Sequence, residues 1–142
     1  MAAIGQAIPR KEDPKLLTGQ ARYVDDLAVP GMAWMAVVRS PYAHARIKSV
    51  DLAQARALPG VVAAFSGQDL AEDLGAGLPC AWPVTEDIHM PPHYPLARDK
   101  ARYVGDGVAV VVAETRAQAK DAAELVTVDY EPLPAVTDVE AA

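Results

Sequence analysis

His89 and His93 stand four residues apart, with Glu86 and Asp87 nearby. On a helix this spacing puts two imidazoles on one face, as in zinc proteases. Pro91 and Pro92 lie between them, however, and a proline pair prevents the helix. A metal site built from such a loop would need a third ligand and an outer layer of hydrogen bonds from elsewhere. The second candidate is RSPYAHARIKSVD, Arg39 to Asp51, in which His44 lies between Arg39 and Arg46 and close to Tyr42. Converging cations of this kind would hold an anionic substrate. Base rates for surface charges favour the plainer reading, solvated or interface side chains. Arg39 ends an apolar run, so it calls for a carboxylate or carbonyl partner.

The remaining chemical signals are weaker. Gly105-Asp106-Gly107 resembles part of a phosphate loop, but a dinucleotide fingerprint needs a glycine where Val110 stands and a helix where an apolar run follows. A tight turn feeding a strand explains the two glycines better. Adjacent Asp25 and Asp26 point in opposite directions in an extended chain, so turn or cap duty suits them. Cys80 has no base or cation close in sequence and reads as a small apolar residue. No set of residues supplies nucleophile, base and oxyanion donors together. No residue is therefore assigned a catalytic, cofactor-binding or metal role. Arg39, Ser40, His44, Arg46, Gly105 and Gly107 are read as structural or interface positions.

The elements that must position these residues are legible to different degrees. Up to about Pro30 the chain looks irregular. Met32 to Arg39 is apolar on both alternating faces and predicts a strand buried on both sides. Ala43 to Val50 alternates, with Ala45 and Ile47 on one face and His44, Arg46 and Lys48 on the other. Asp51 is expected to cap a short helix with Gln54 in the capping-box place, and Pro59-Gly60 to stop it. Val61 to Phe65 predicts a strand, and Ser66 a cap for one further turn through Leu70. Gly75 to Pro95 contains five prolines and two glycines. It predicts a long surface excursion, of the kind often used for binding or interfaces. Val108 to Ala113 reads as a buried strand. Thr115 caps a helix with Gln118 completing the box, and Ala119, Ala122, Ala123 and Val126 form its apolar stripe. VTVDYEPLP returns as a strand. Strand–helix–strand thus occurs twice, around 45–65 and 108–130, which predicts a small α+β, or mixed α/β, domain. One domain over 1–142 is expected, with an ordered core over about 15–135.

The totals set bounds. A chain of 142 residues buries roughly 68–70% of its unfolded surface and can hold a core without staples. Apolar residues make up 51% and aromatic residues 6%, so the core must be built from small side chains. The net charge of −6 argues against nucleic acid or an anionic membrane as main partner. A single cysteine excludes an internal disulfide. No run approaches a bilayer span and no signal peptide is evident, so a cytoplasmic location is expected.

Several stretches together resemble one family. LLTGQARYVDDLAVPGMAWMAVVRSPYAHARIKSVDLAQARALPGVVA is similar to the start of the large, molybdenum-binding subunit of the xanthine oxidase family, especially its aerobic carbon monoxide dehydrogenase branch. PLARDKARYVGDGVAVVVAETRAQAKDAAELVTVDYEPLPAV continues the resemblance. It runs from about Ile8 to Val139, the 75–95 excursion excepted. Many relatives carry proline where Gly107 stands, which leaves the turn reading intact. The resemblance implies an α/β-hammerhead fold, the N-terminal domain of that subunit. It also implies a parent enzyme that hydroxylates an aldehyde, a heteroaromatic carbon or carbon monoxide with oxygen from water. Electrons would pass from molybdopterin through two [2Fe–2S] clusters to FAD, often on another chain. In the family the cofactor-holding groups and the catalytic glutamate lie in later domains, so none is carried over here.

The expected function is that of a non-catalytic domain of a molybdenum hydroxylase, such as an aldehyde oxidase, xanthine dehydrogenase or carbon monoxide dehydrogenase. It would support the remaining molybdenum-binding domains and contact the iron–sulfur and FAD subunits. Such a domain should expose an apolar face of roughly several hundred Å² where its partner sits. The alternative is an independent small-ligand or protein-binding module using the 75–95 loop, with a pocket lined by Trp82, His89, His93 and Tyr94. A small metalloenzyme centred on His89 and His93 is the third possibility.

Overall fold

The computed structural model describes residues 4–79, 85–88 and 90–140. They fall into two compact units, divided after Met32. In the first, Asp13–Leu17 forms the short helix α1, with proline in its first turn and no buried residue. Asp13 Oδ2 accepts the Arg10 backbone N–H at 3.0 Å. A 3-10 turn spans Val24–Asp26. Asp26 Oδ2 accepts the Tyr23 N–H at 2.9 Å, the cap duty expected of the acidic pair. The segment read as irregular therefore contains two short helical turns, each too brief to leave a hydrophobic period.

The second unit contains two three-stranded antiparallel sheets. Strands β1 (Trp34–Arg39), β3 (Val61–Ser66) and β5 (Gly107–Ala113) form one, in the order β1-β5-β3. Strands β2 (Ala45–Asp51), β4 (Lys100–Ala101) and β6 (Thr127–Pro132) form the other, in the order β4-β2-β6. Both strand–helix–strand units found in the sequence are present. Each one crosses between sheets: β2 leads through α2 (Ala53–Ala57) to β3, and β5 leads through α3 (Arg116–Glu124) to β6.

Strand β5 is the central strand of the first sheet. Ala109 and Val111 point to the helices and are fully buried with Leu52, Ala55, Ala64 and Ala122. Alanine at Ala55, Ala109 and Ala122, each 0% exposed, lets α2 and α3 lie close on the sheet. The Thr115 hydroxyl accepts the Gln118 N–H at 3.2 Å and fixes the start of α3 as the sequence predicts. Gln118 also reaches the Pro59 carbonyl, tying α3 to the turn before β3. Opposite Val38 and Arg39 the β1–β5 register skips Val108. This bulge bends β5, and Val108 packs against Ile47 and Ala97 of the second layer.

Two local expectations are corrected. β1 is not buried on both sides; it is an edge strand in which Met35 is 64% exposed. Its apolar residues face helices on one side only. Asp51 is the last residue of β2 rather than a helix cap. Leu52 occupies the N-cap without a side-chain bond, and the box expected with Gln54 reduces to Asp51 Oδ1 accepting the Ala53 N–H at 2.9 Å. Ser66 does act at its turn: its hydroxyl accepts the Asp69 N–H, while Asp69 Oδ2 accepts the Ser66 N–H. Turns rather than a helix follow through Leu74. Among the described residues no helix is long and apolar enough to cross a membrane.

The tight alanine packing has a measurable consequence. Ala122→Leu should overpack the helix–sheet contact and cost about 1–3 kcal/mol, read as a lowered urea midpoint. An unchanged midpoint would mean the layer has room that the burial of Ala122 denies.

Candidate interface site

The RSPYAHARI stretch runs from the end of β1 into β2, and the structure shows what its polar groups hold. Arg39 Nη1 donates to the Gly105 carbonyl at 2.8 Å, the carbonyl partner its position demands. Ser40 is 2% exposed. Its N–H donates to Asp106 O, and its carbonyl accepts from the Gly105 N–H, both at 2.8 Å. The Ser40 hydroxyl accepts the Tyr42 N–H and donates to the Tyr42 carbonyl, each at 3.1 Å, and so closes a local turn. Asp106, 3% exposed, uses Oδ2 to accept the Arg102 N–H at 3.0 Å. Gly105 has φ +93°, a conformation open to glycine. A Cβ on Gly107 would press on Leu96 and Val37. The two glycines therefore serve a turn that clamps the end of β1 to the start of β5, as the turn reading predicts.

Arg39, His44 and Arg46 do not pool their charges. His44 Nδ1 lies 2.6 Å from the Pro134 carbonyl, which can only accept, so Nδ1 carries the proton. Arg46 points outward and meets Glu131 of the neighbouring strand at 4.0 Å, with both side chains largely solvated. Two arginines and a histidine, each with its own partner, hold loops and strands together and leave no shared anion site in the middle.

Beside this clamp stands a group that sequence reasoning missed. Tyr130 of β6 packs its ring 5.1 Å from that of Tyr42, and its buried hydroxyl has no hydrogen-bond partner among the described residues. Burial pushes its pKa above the ordinary phenol value. Ser40 lies close enough to oppose that shift, while the negative charge of Asp106 and the neighbouring Tyr42 reinforce it. No local pattern in VTVDYEPLP marks this residue, because its neighbours come from β1–β2 and β4–β5.

The histidine pair gives no metal centre that can be described. His93 Nε2 lies 3.3 Å from the Tyr103 hydroxyl, with the two rings edge to face. His89, Trp82 and Cys80 lie outside the described residues. The Asp87 carboxyl sits below its usual range, chiefly through the Thr85 side chain. Tyr94 is stacked by the Arg98 guanidinium at 3.7 Å rather than turned toward a ligand pocket. Among the described residues no three His, Cys, Asp or Glu side chains stand together as a ligand set.

What the fold leaves open is one face of the first sheet. Register places Met35, Val112 and Ala63 in one cross-strand row, and Val37, Val110 and Phe65 in the next. These rows lie on the face opposite α2 and α3. Met35 is 64% and Phe65 37% exposed, and Val37, Ala63, Val110 and Val112 are only half-buried. The β3 edge beside this face is closed. Arg56 donates to the Ala64 carbonyl through Nε and Nη2 and pairs with Asp69 at 3.0 Å. The backbone N–H of Ser66, then its hydroxyl and the Arg56 charge, hold the Asp69 carboxyl below its ordinary range against a small burial effect. With that edge blocked, a partner can approach the face but not add a strand there.

Comparison with known proteins agrees with this architecture. Residues 18–134 match the family model described as aldehyde oxidase and xanthine dehydrogenase, a/b hammerhead domain. The chain is 44% identical to the 6-hydroxypseudooxynicotine dehydrogenase complex subunit gamma of Paenarthrobacter nicotinovorans, over 99% of this chain and 18% of that protein. It is 43% identical to the carbon monoxide dehydrogenase large chain of Afipia carboxidovorans, over 91% of this chain and 15% of the relative. Quinoline 2-oxidoreductase from Pseudomonas putida 86 superposes with a TM-score of 0.83 at 49% identity, covering 96% of this chain and 17% of that one. The chain thus spans under a fifth of the length of these relatives.

The unpartnered hydroxyl gives a direct test of the clamp's polar accounting. Tyr130→Phe removes a buried hydroxyl that stands near Ser40 but meets hydrogen-bond geometry with no described group, so stability should stay level or rise by about 1 kcal/mol in urea unfolding. A loss of similar size would show that the hydroxyl is satisfied in solution, by Ser40 or by a water.

Proposed function

The chain belongs to the aldehyde oxidase and xanthine dehydrogenase a/b hammerhead domain family, and from that premise we propose that it serves as the non-catalytic hammerhead domain of a molybdenum hydroxylase. The observation that carries this reading is the half-covered first sheet: β5 is apolar on both faces, and α2 and α3, the helices of its own unit, cover one of them. The open rows led by Met35 and Phe65 would dock against the molybdenum-binding part of the same enzyme. Relatives of this chain include a xanthine dehydrogenase molybdenum-binding subunit and a structure of a Cu,Mo carbon monoxide dehydrogenase.

In the parent enzyme, molybdopterin, two [2Fe–2S] clusters and FAD would carry out the hydroxylation and electron transfer. The described residues provide no ligand set for a metal, and the buried polar residues Ser40, Ser66 and Asp106 hold turns. The chain's contribution is geometric. The clamp fixes the angle between the end of β1 and the start of β5, so the apolar face is presented as a rigid surface.

A charge on that face separates docking from folding. Met35→Glu alters a well-exposed side chain and should change the stability of the chain alone by no more than roughly 0.5 kcal/mol, whereas Phe65→Glu, at a side chain only 37% exposed, should cost about 1–2 kcal/mol and leave the chain folded, both read by urea unfolding. The same substitutions in the full-length polypeptide should prevent stable assembly, seen as loss of the intact complex in size-exclusion chromatography. Full assembly with both charges present would remove the docking role.

A further inference from the structure

The outer face of the second sheet holds a charge imbalance. β2 is paired with β4 on one side and β6 on the other, and the register sets Lys100, Arg46 and Glu131 in one cross-strand row. Two cations directly opposite each other are unfavourable, and the single carboxylate in the row is engaged with Arg46. Lys100 and Arg102 take part in none of the three ion pairs among the described residues. The backbone N–H of Arg102, not its guanidinium, is what buried Asp106 accepts. This occurs in a chain of net charge −6, with nineteen acidic and thirteen basic residues.

Those cations line a groove of about 560 Å³ together with His44, Tyr103, Val104 and Val136, and no carboxylate lines it. Its apolar members are well exposed: Val104 and Val136 are each at 65% and Tyr103 at 46%. A hollow lined by cations and by exposed apolar side chains is complementary to a peptide that carries carboxylates beside apolar residues. We propose that this groove docks an acidic, partly apolar segment from another domain of the same polypeptide, since the relatives of this chain are more than five times its length. The proposal rests on the hammerhead-domain reading above and names a second contact, on a different sheet from the Met35–Phe65 face. A carboxylate seated near Lys100 and Arg102 would also relieve the repulsion between Lys100 and Arg46.

The test uses the full-length protein expressed with its partner subunits. A photo-crosslinking amino acid replaces Tyr103 in one preparation and Phe65 in another, and adducts are mapped by mass spectrometry. From position 103 we expect an adduct on a segment of another domain of the same polypeptide, with Asp or Glu close to the attachment point; an adduct on a partner subunit instead would overturn the proposal. Adding Lys100→Glu and Arg102→Glu should cut the yield of the expected adduct about tenfold, and the milder Lys100→Gln should cut it by a smaller factor. An unchanged melting temperature for Lys100→Gln shows that any loss is not unfolding. No adduct at position 103, an adduct on a segment without carboxylates, or a yield insensitive to Lys100→Gln and to the charge reversal would each overturn the groove proposal. If position 65 crosslinks to another domain and position 103 does not, the groove is wrong and the hammerhead-domain reading stands. If neither does, both fail.

Discussion

Strand β5 has apolar side chains on both faces, and this constraint organises everything else. Gly107 to Ala113 has no polar side to offer water. One face is covered by α2 and α3 through close alanine contacts. The start of the strand is covered when the bulge at Val108 turns it into the second layer against Ile47 and Ala97. The rows containing Val110 and Val112 remain half-covered. The uncovered area is a direct consequence of using one fully apolar strand in a sheet with helices on a single side.

The crossings between sheets follow from the same strand. Because β2 to β3 and β5 to β6 each change sheet, neither layer can move without the other. Gly67 shows how close the layers come. Its N–H donates to Val108 O, and a Cβ there would collide with the Ala97 carbonyl. The polar motif around Ser40 belongs to this mechanical scheme. Arg39, Ser40, Gly105 and Asp106 exchange backbone and side-chain hydrogen bonds across two turns that are distant in sequence, which sets where β1 ends and β5 begins. Histidine and arginines that looked like a candidate anion site are instead bound to carbonyls and to a cross-strand glutamate.

Sequence reading succeeded where the signal is local. The apolar run of β5, the Thr115 cap, the alanine stripe of α3 and the glycine turn before β5 are each written within about ten residues. Edge or central position is a different matter: Met32 to Arg39 reads as fully buried because its side chains are apolar, and only the pairing order reveals that one of its faces has no cover. The division into two sheets was equally invisible, since both strand–helix–strand units would also suit a single sheet. Asp51 looked like a helix cap because the strand runs straight into the helix with no loop to mark the boundary. Tyr130 was missed because its surroundings come from two connections distant in sequence, β1–β2 and β4–β5. The RSPYAHARI and YVGDG stretches were legible as a family pattern, whereas the long-range hydrogen-bond partners of Arg39, Ser40 and Asp106 were not.

Met35 reports on the central claim, that the open face of the first sheet is a docking surface. Its thioether is well exposed in this chain and oxidises to the sulfoxide when peroxide can reach it. The rate of Met35 oxidation should be compared between the chain alone and the assembled full-length protein, with exposed Met90 as an internal reference. The account predicts rapid oxidation in the chain alone and about tenfold slower oxidation after assembly, because docking excludes solvent from that face. Equal rates in the two preparations would show that the face stays open to water and would contradict the account.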